Sequence, residues 1–196
     1  MNELSQKANE ISALTRRLLT KGGYKSFSYA DIADVIQIRK ASIHHHFPSK
    51  ADLIRTVVIQ YREEALAGMS ALDQQLNDPV AEVKAYVDYW SRCINDGSSP
   101  FCICVMLAVE LPNLPDEVAI EVKGHFQDLS DWLTSLLQKG QNKGIFQLTD
   151  TPSVEAKSFM ATVHGAMLAA RAFNNAALFQ QITQPVLSRL LATDLR

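Results

Sequence analysis

The sequence predicts an all-α protein of about nine helices, with a short basic unit leading a longer acidic remainder. Three observations carry this. Apolar residues recur in steps of three and four along almost the whole chain, the pattern of an amphipathic helix. The runs are separated by helix stop and start signals, such as Gly22-Gly23, Pro48-Ser49 and Pro79. No stretch alternates as a strand would.

In order, Leu4, Ala8, Ile11, Leu14 and Leu18 define a first helix that Gly22-Gly23 ends. Ser28 is a natural N-cap for a short second helix, with Asp31 at its positive start and Ile32, Ala33 and Ile36 inward. A third short helix runs from Ala41 to about Phe47 and is closed by Pro48. Ser49 then caps a long fourth helix bearing Leu53, Val57, Tyr61, Leu66 and Met69. Pro79 fits the first turn of a fifth, carrying Val80, Val83, Val87, Trp90 and Ile94, and "NDGSSP" at residues 95–100 breaks it. The sixth is expected over about 101–111. The seventh, over about 116–142, buries Val118, Val122, Phe126, Leu129, Leu133 and Leu136. "LTDTPS" caps an eighth over about 153–174. A ninth fills the C-terminal region, where Pro185 must kink it or mark its beginning.

Composition excludes several classes. Of the 196 residues 47% are hydrophobic, enough for a sizeable core, yet the longest apolar run, "FCICVMLAV", is about half of a bilayer span. The N-terminal stretch has charges throughout and no apolar signal core. Three cysteines do not read as a disulfide framework, so a reducing, cytoplasmic location with no membrane association is expected. The net charge of −2 hides an asymmetry. Residues 1–62 hold ten Lys/Arg against five Asp/Glu, and the rest nine against sixteen. A basic head on an acidic body predicts that the head alone meets a polyanion.

Residues 28–47 have the form of a helix-turn-helix, whose second helix lays its leading residues against base edges in a major groove. Three short helices bury little alone. Ile32, Ile36, Ile38, Ile43 and Phe47 must therefore pack on Leu14, Leu18 and Phe27.

The stretch "FSYADIADVIQIRKASIHHHFPSKADLIRTVV" resembles the signature of the TetR (tetracycline-repressor-like) transcriptional regulators, close to "G-V-S-K-G-T-L-Y-H-H-F-x-S-K-x-x-L". The resemblance spans roughly residues 8–58, with "HHFPSKADL" its most specific part. It implies a three-helix DNA-binding domain over residues 1–50 and an effector-binding and dimerisation domain over 51–196. Three departures stand out. Gln37 replaces the turn glycine, the residue that most easily reaches positive φ, and Arg39 and His44 replace a serine and a tyrosine. No operator sequence can therefore be carried over from a relative.

Three adjacent histidines, His44 to His46, raise the question of metal or acid–base work. Neighbours on a helix are about 100° apart, so they fan around the axis and cannot share one ion. No carboxylate is placed to make one a general base, which leaves DNA contact and packing. The resemblance implies that His44 and His45 face the groove or phosphates and that His46 leans inward. It also places Tyr29 and Lys50, at two helix starts, on phosphates. Arg39, Lys40 and Ser42 lead the recognition helix and are candidates for base contact.

For the body, the resemblance implies an effector pocket and homodimer pairing through the last two helices. "FMATVHGAMLAARAF", dense in alanine and glycine, would let two helices approach, and Leu178, Ile182, Val186 and Leu190 extend the surface. Pocket candidates are Tyr86, Trp90, Cys102, Met106, His125, Trp132, His164 and Met167, although ordinary core is the first explanation for any one of them. Arg171 is a further candidate anchor if the effector is anionic, the alternative being a salt-bridged surface arginine. "FCICVMLAVEL" resembles a segment in a branch of the family that includes electrophile-responsive repressors, which makes Cys102 a candidate redox residue. Burial would silence it, and Cys102 and Cys104, two apart on one helix, would point to opposite sides. No cofactor, catalytic residue or metal ligand is expected.

The sequence thus reads as a DNA-binding repressor released from a palindromic operator by a small molecule, an electrophile among the candidates. Two alternatives are a ligand-independent DNA-organising protein on the same scaffold and an enzyme pairing Cys102 with His125 or His164.

Overall fold

A computed structural model describes residues 4–97 and 101–191. Among them are nine α-helices and two 3-10 turns: α1 (Gln6–Gly22), α2 (Tyr29–Ile36), α3 (Lys40–His46), α4 (Lys50–Leu76), α5 (Pro79–Asp96), α6 (Ile103–Val109), α7 (Asp116–Asn142), α8 (Pro152–Ala172) and α9 (Ala177–Leu190), with the turns at Tyr24–Ser26 and Leu111–Asn113. The only strand-like pairing among these residues is an isolated bridge between Phe146 and Leu191.

The boundaries follow from capping chemistry. Ser5 accepts from the Ala8 N–H to start α1, and Gly23, at φ 80°, ends it. Ser28 and Asp31 form a reciprocal capping box on α2: the Ser28 hydroxyl accepts from the Ala30 N–H, and Asp31 accepts from the Ser28 N–H at 2.7 Å. Ser49 and Asp52 repeat the arrangement on α4. Such a cap is worth about 1 kcal/mol. Asp78 and Thr151 cap α5 and α8, each followed by proline at the first helical position. The break expected over 95–100 is a left-handed Gly97 after Asp96. Residues 98–100 lie outside the described residues.

The Ser28 hydroxyl, then the Ser28 N–H, hold the Asp31 carboxyl below its ordinary value of 3.8. A depressed folded value means the cap contributes fully above the unfolded pKa and is lost as pH falls through the folded one. Amide exchange should therefore show α2 fraying in acid, and Asp31→Asn should abolish that dependence. An unchanged profile in the variant would acquit Asp31.

Departures from the predicted elements have local causes. Pro185 does not begin α9 but lies inside it. It can donate no hydrogen bond to the carbonyl one turn back. His125, not Phe126, occupies the buried row of α7 with Val118, Val122, Leu129, Leu133 and Leu136, and Phe126 is half-buried. Leu66 is exposed and not inward. α6 is shorter than expected because Cys102, at φ −70° and ψ 124°, is extended and caps the helix from outside.

Gln37 ends α2 in the left-handed region, at φ 58° and ψ 48°, with its Nε2 donating to the Asp34 carbonyl. A side chain there costs about 1 kcal/mol. Gln37→Gly should raise the unfolding free energy by about 0.5–1 kcal/mol, seen as a higher urea midpoint at unchanged slope. A lowered midpoint would show that the Asp34 bond outweighs the strain.

The chain divides into two compact units. The first joins the described residues up to Glu64 with Cys102–His125, and the second joins Ala65–Phe101 with the described residues from Phe126 on. In the first unit α1, α2 and α3 could not seal a core alone. α1 packs on α2 and α3 and also on α6. Ile11, Ile32, Ile43, Leu53, Ile103 and Leu107 are all fully buried here, while Ile36, Ile38 and Leu18 stay half-buried. In the second unit α9 packs on α8 and α5, with Phe159, Val163, Phe179 and Leu187 buried.

Candidate functional site

The helix-turn-helix is anchored by Ile43, at 0% exposure, which fixes the rotation of α3. That rotation leaves Arg39, Lys40, His44 and His45 exposed, whereas Ser42 is half-buried and His46 partly covered. Lys40 and His44 lie one turn apart on the same side. The His44 ring meets Tyr29 edge-on at 4.8 Å, and its Nδ1 sits 3.2 Å from the Pro48 carbonyl. That oxygen can only accept, so Nδ1 carries the proton and Nε2 of the neutral ring is an acceptor. His45 and His46 meet edge-on at 5.2 Å.

Two residues expected on phosphates also face inward. The Tyr29 hydroxyl lies 2.9 Å from the Phe47 carbonyl and against that of Ser49, and burial pushes its pKa up to about 12. The Lys50 ammonium donates to the carbonyls of Tyr24 and Phe27 and lies over both of their rings. Burial holds it below the usual lysine range, opposed by the charges of Glu110 and Asp31. Two of its three protons are thus committed to the scaffold. Tyr29 ties α2 to the α3–α4 junction, and Lys50 ties α4 to the segment after α1.

The same segment is clasped from the other side. Glu110, at the end of α6, accepts from the Tyr24 N–H at 2.6 Å. A Cβ on Gly23 would lie 2.1 Å from that carboxylate oxygen, so only glycine allows the approach. Arg16 of α1 pairs with Glu64 and lies 4.8 Å over the Tyr61 ring. Arg62 pairs with Glu121 of α7.

Within this frame Cys102, Cys104 and His125 converge. Their ligand atoms lie within 4.8 Å of one another, all buried. The expectation that the two thiols point apart is overturned, because Cys102 lies outside α6 and the helical rotation between i and i+2 does not apply to it. No disulfide forms, and burial pushes the Cys104 thiol well up. Sequence reasoning missed this set. The available signal was the buried row of α7, in which His125 follows Val122 by three.

The eight pocket candidates divide between the units. Cys102, Met106 and His125 belong to the first; Tyr86, Trp90, Trp132, His164 and Met167 belong to the second. In the second, Tyr86 meets Trp132 at 5.5 Å, His164 meets Phe126 edge-on at 5.5 Å, and Arg171 lies 5.2 Å over the Phe101 ring.

Comparison with known proteins decides the family. Residues 11–57 match the family model of bacterial regulatory proteins, tetR family, and residues 79–186 match that of the tetracyclin repressor-like C-terminal domain. The chain belongs to the TetR family. It is similar to a TetR-family transcriptional regulator of known structure from Agrobacterium tumefaciens, at 53% identity over 95% of this chain and 98% of that one, with a TM-score of 0.93. It is also similar to a TetR transcriptional regulator from Legionella pneumophila, at 26% identity over 97% and 100% of the two chains, TM-score 0.84. Among curated relatives, the HTH-type transcriptional repressor DhaR of Mycobacterium sp. strain GP1 is 23% identical over 86% of this chain and 84% of its own. This TetR-family chain is accordingly a DNA-binding transcriptional regulator with an N-terminal helix-turn-helix and a helical C-terminal domain. Members of the family bind operator DNA and usually act as dimers. They are regulators, not enzymes. Cys102 and His125, the candidate enzymatic pair, meet at 3.8 Å and are both buried. Among the described residues no helix is long and apolar enough to cross a membrane.

Proposed function

We propose that the protein is a homodimeric repressor whose two α3 helices enter successive major grooves of a palindromic operator, and that a small molecule bound in the body releases it. The observation that carries the reading is the outward set on α3. Arg39, Lys40, His44 and His45 are exposed around the fully buried Ile43, so the helix presents donors and cations on a rigid support. Arg39 and Lys40 read bases, with Ser42 at the edge of the contact. His44 and His45 meet the groove or phosphates. At the starts of α2 and α4, backbone N–H groups and the third proton of Lys50 hold the duplex.

Dimerisation through α8 and α9 is supported by an apolar row left bare on α8. Val154, Ala161, Gly165, Leu168 and Ala172 are exposed at steps of three, four and seven, and nothing lies within 4 Å of a Cβ built on Gly165. Leu178, Ile182 and Val186 are half-buried beside it, while Leu190 is buried within its own chain. In this reading the effector binds among Tyr86, Trp90, Trp132, His164 and Met167, a choice supported by the aromatic pairing of Tyr86 with Trp132 in the second unit. Release requires that the ligand prefer the state that does not fit DNA. A 100-fold loss of affinity needs about 2.7 kcal/mol of such preference. The DhaR repressor, by its name, favours repression over activation.

Selection of purified protein on random duplex DNA tests this. The expected result is a palindrome with half-sites about one helical turn apart. Lys40→Ala should lower affinity for it by about 10- to 100-fold, the worth of one good base contact, and relax one position per half-site. An identical selected sequence from the variant would remove Lys40 from base reading, and no enriched sequence from the parent would overturn the proposal.

A further inference from the structure

The first unit encloses three side chains of the kind that bind thiophilic metals. Sγ of Cys102 and Cys104 and a ring nitrogen of His125 lie within 4.8 Å of one another, and Cys102 Sγ is 3.8 Å from His125 Nε2. A tetrahedral zinc ion, bonded at about 2.3 Å to sulfur and about 2.0 Å to nitrogen, sets adjacent ligand atoms roughly 3.6–3.8 Å apart. The Cys102–His125 edge already has that length, and the others need at most about 1 Å of adjustment. The site is sealed, at 0%, 0% and 5% exposure for the three residues.

Charge and softness select the occupant. Two thiolates and a neutral imidazole cancel a divalent ion, so no net charge is buried. A monovalent ion would leave one negative charge, and the nearby Arg16 and Arg62 are already paired with Glu64 and Glu121. Magnesium and calcium seek oxygen ligands, which this set lacks. The geometry points to a zinc-class site in which Cys102, Cys104 and His125 are the three ligands. The Tyr61 hydroxyl is hydrogen-bonded to Cys102, and its ring packs 5.2 Å from that of His125. Binding replaces two S–H bonds by two metal–sulfur bonds and releases two protons; no electron moves.

The ligands come from the cap and first turn of α6 and from α7, with Tyr61 supplied by α4. α6 packs on α1, which packs on α2 and α3, so a bound ion would fix the scaffold beneath the recognition helix. As a signal the ion rests on the proposed DNA-binding function. As a site it does not.

The test uses the full chain, reduced, stripped by a chelator and titrated with Co2+ until absorbance is constant, then with Zn2+. One cobalt per chain should bind, with the near-ultraviolet absorption of thiolate-to-cobalt charge transfer, and zinc should bleach it. Cys104→Ser and His125→Gln should each weaken cobalt binding by about tenfold or more, while Cys93→Ser should not. Because buried variants can misfold, metal-edge X-ray absorption of the zinc-loaded parent chain is the second measurement: sulfur neighbours at about 2.3 Å and nitrogen at about 2.0 Å are expected. Absence of the charge-transfer band in folded parent protein, or a zinc shell without sulfur, overturns the site. Operator binding is measured separately on stripped and zinc-loaded protein, and a shift of about tenfold or more is expected. Equal affinity would overturn the signalling role alone. Failure of both forms to bind DNA would sink the regulator reading and leave the metal site standing.

Discussion

Lys50→Met should unfold at a free energy about 2–4 kcal/mol below the parent, even though the lysine sits at a helix start beside a DNA-binding surface. The substitution keeps the aliphatic stem and removes the ammonium that donates to the Tyr24 and Phe27 carbonyls. Charge-assisted hydrogen bonds are worth more than neutral ones, and both carbonyls would be left without that donor. The two ring contacts lose their cation as well. Urea denaturation reads this loss. Operator binding against salt concentration reads a second role, because the third proton is proposed to meet a phosphate. The slope of log affinity on log salt should fall by about one unit. Unchanged stability would refute the brace, and an unchanged slope would take Lys50 off the phosphate.

The contrast between Lys40 and Lys50 shows what the sequence reveals. Periodicity and caps placed the helices of the first unit to within a residue or two, since Ser28, Asp31, Ser49 and Gly23 act on neighbours a turn away. Which side of α3 faces out followed from Ile43. What Lys50 touches did not follow, because its acceptors lie 26 and 23 residues earlier and depend on how the segment after α1 folds back. The thiol set was illegible for a related reason. Its members reach one another only because Cys102 stops being helical one residue before α6 begins, a difference of ψ that residue spacing does not encode. The left-handed Gln37 is the opposite case. The chain needs positive φ at that turn, so the missing glycine could be read as a strained position before the dihedral was seen.

Leu168→Arg should convert the protein to a monomer and lower operator affinity by at least about 100-fold, the loss expected when the second half-site no longer binds intramolecularly. Leu168 is 58% exposed within its own chain, in the row that runs through Gly165, where a partner helix meets no side chain. An arginine there costs the single chain little, because surface substitutions change stability by about 0.5 kcal/mol or less. In a dimer the same charge would be buried against its twin across a two-fold axis, unpaired and next to a like charge. Ile120→Arg is the control. Ile120 is as exposed, at 64%, but belongs to α7 and to neither of the helices proposed to pair, so that variant should stay dimeric with parental affinity. Sedimentation equilibrium and DNA titration of both variants separate the outcomes. A dimeric Leu168→Arg that binds like the parent would place the interface elsewhere. A monomeric Leu168→Arg that still binds like the parent would show that one head suffices, and the two-groove geometry would fail with it.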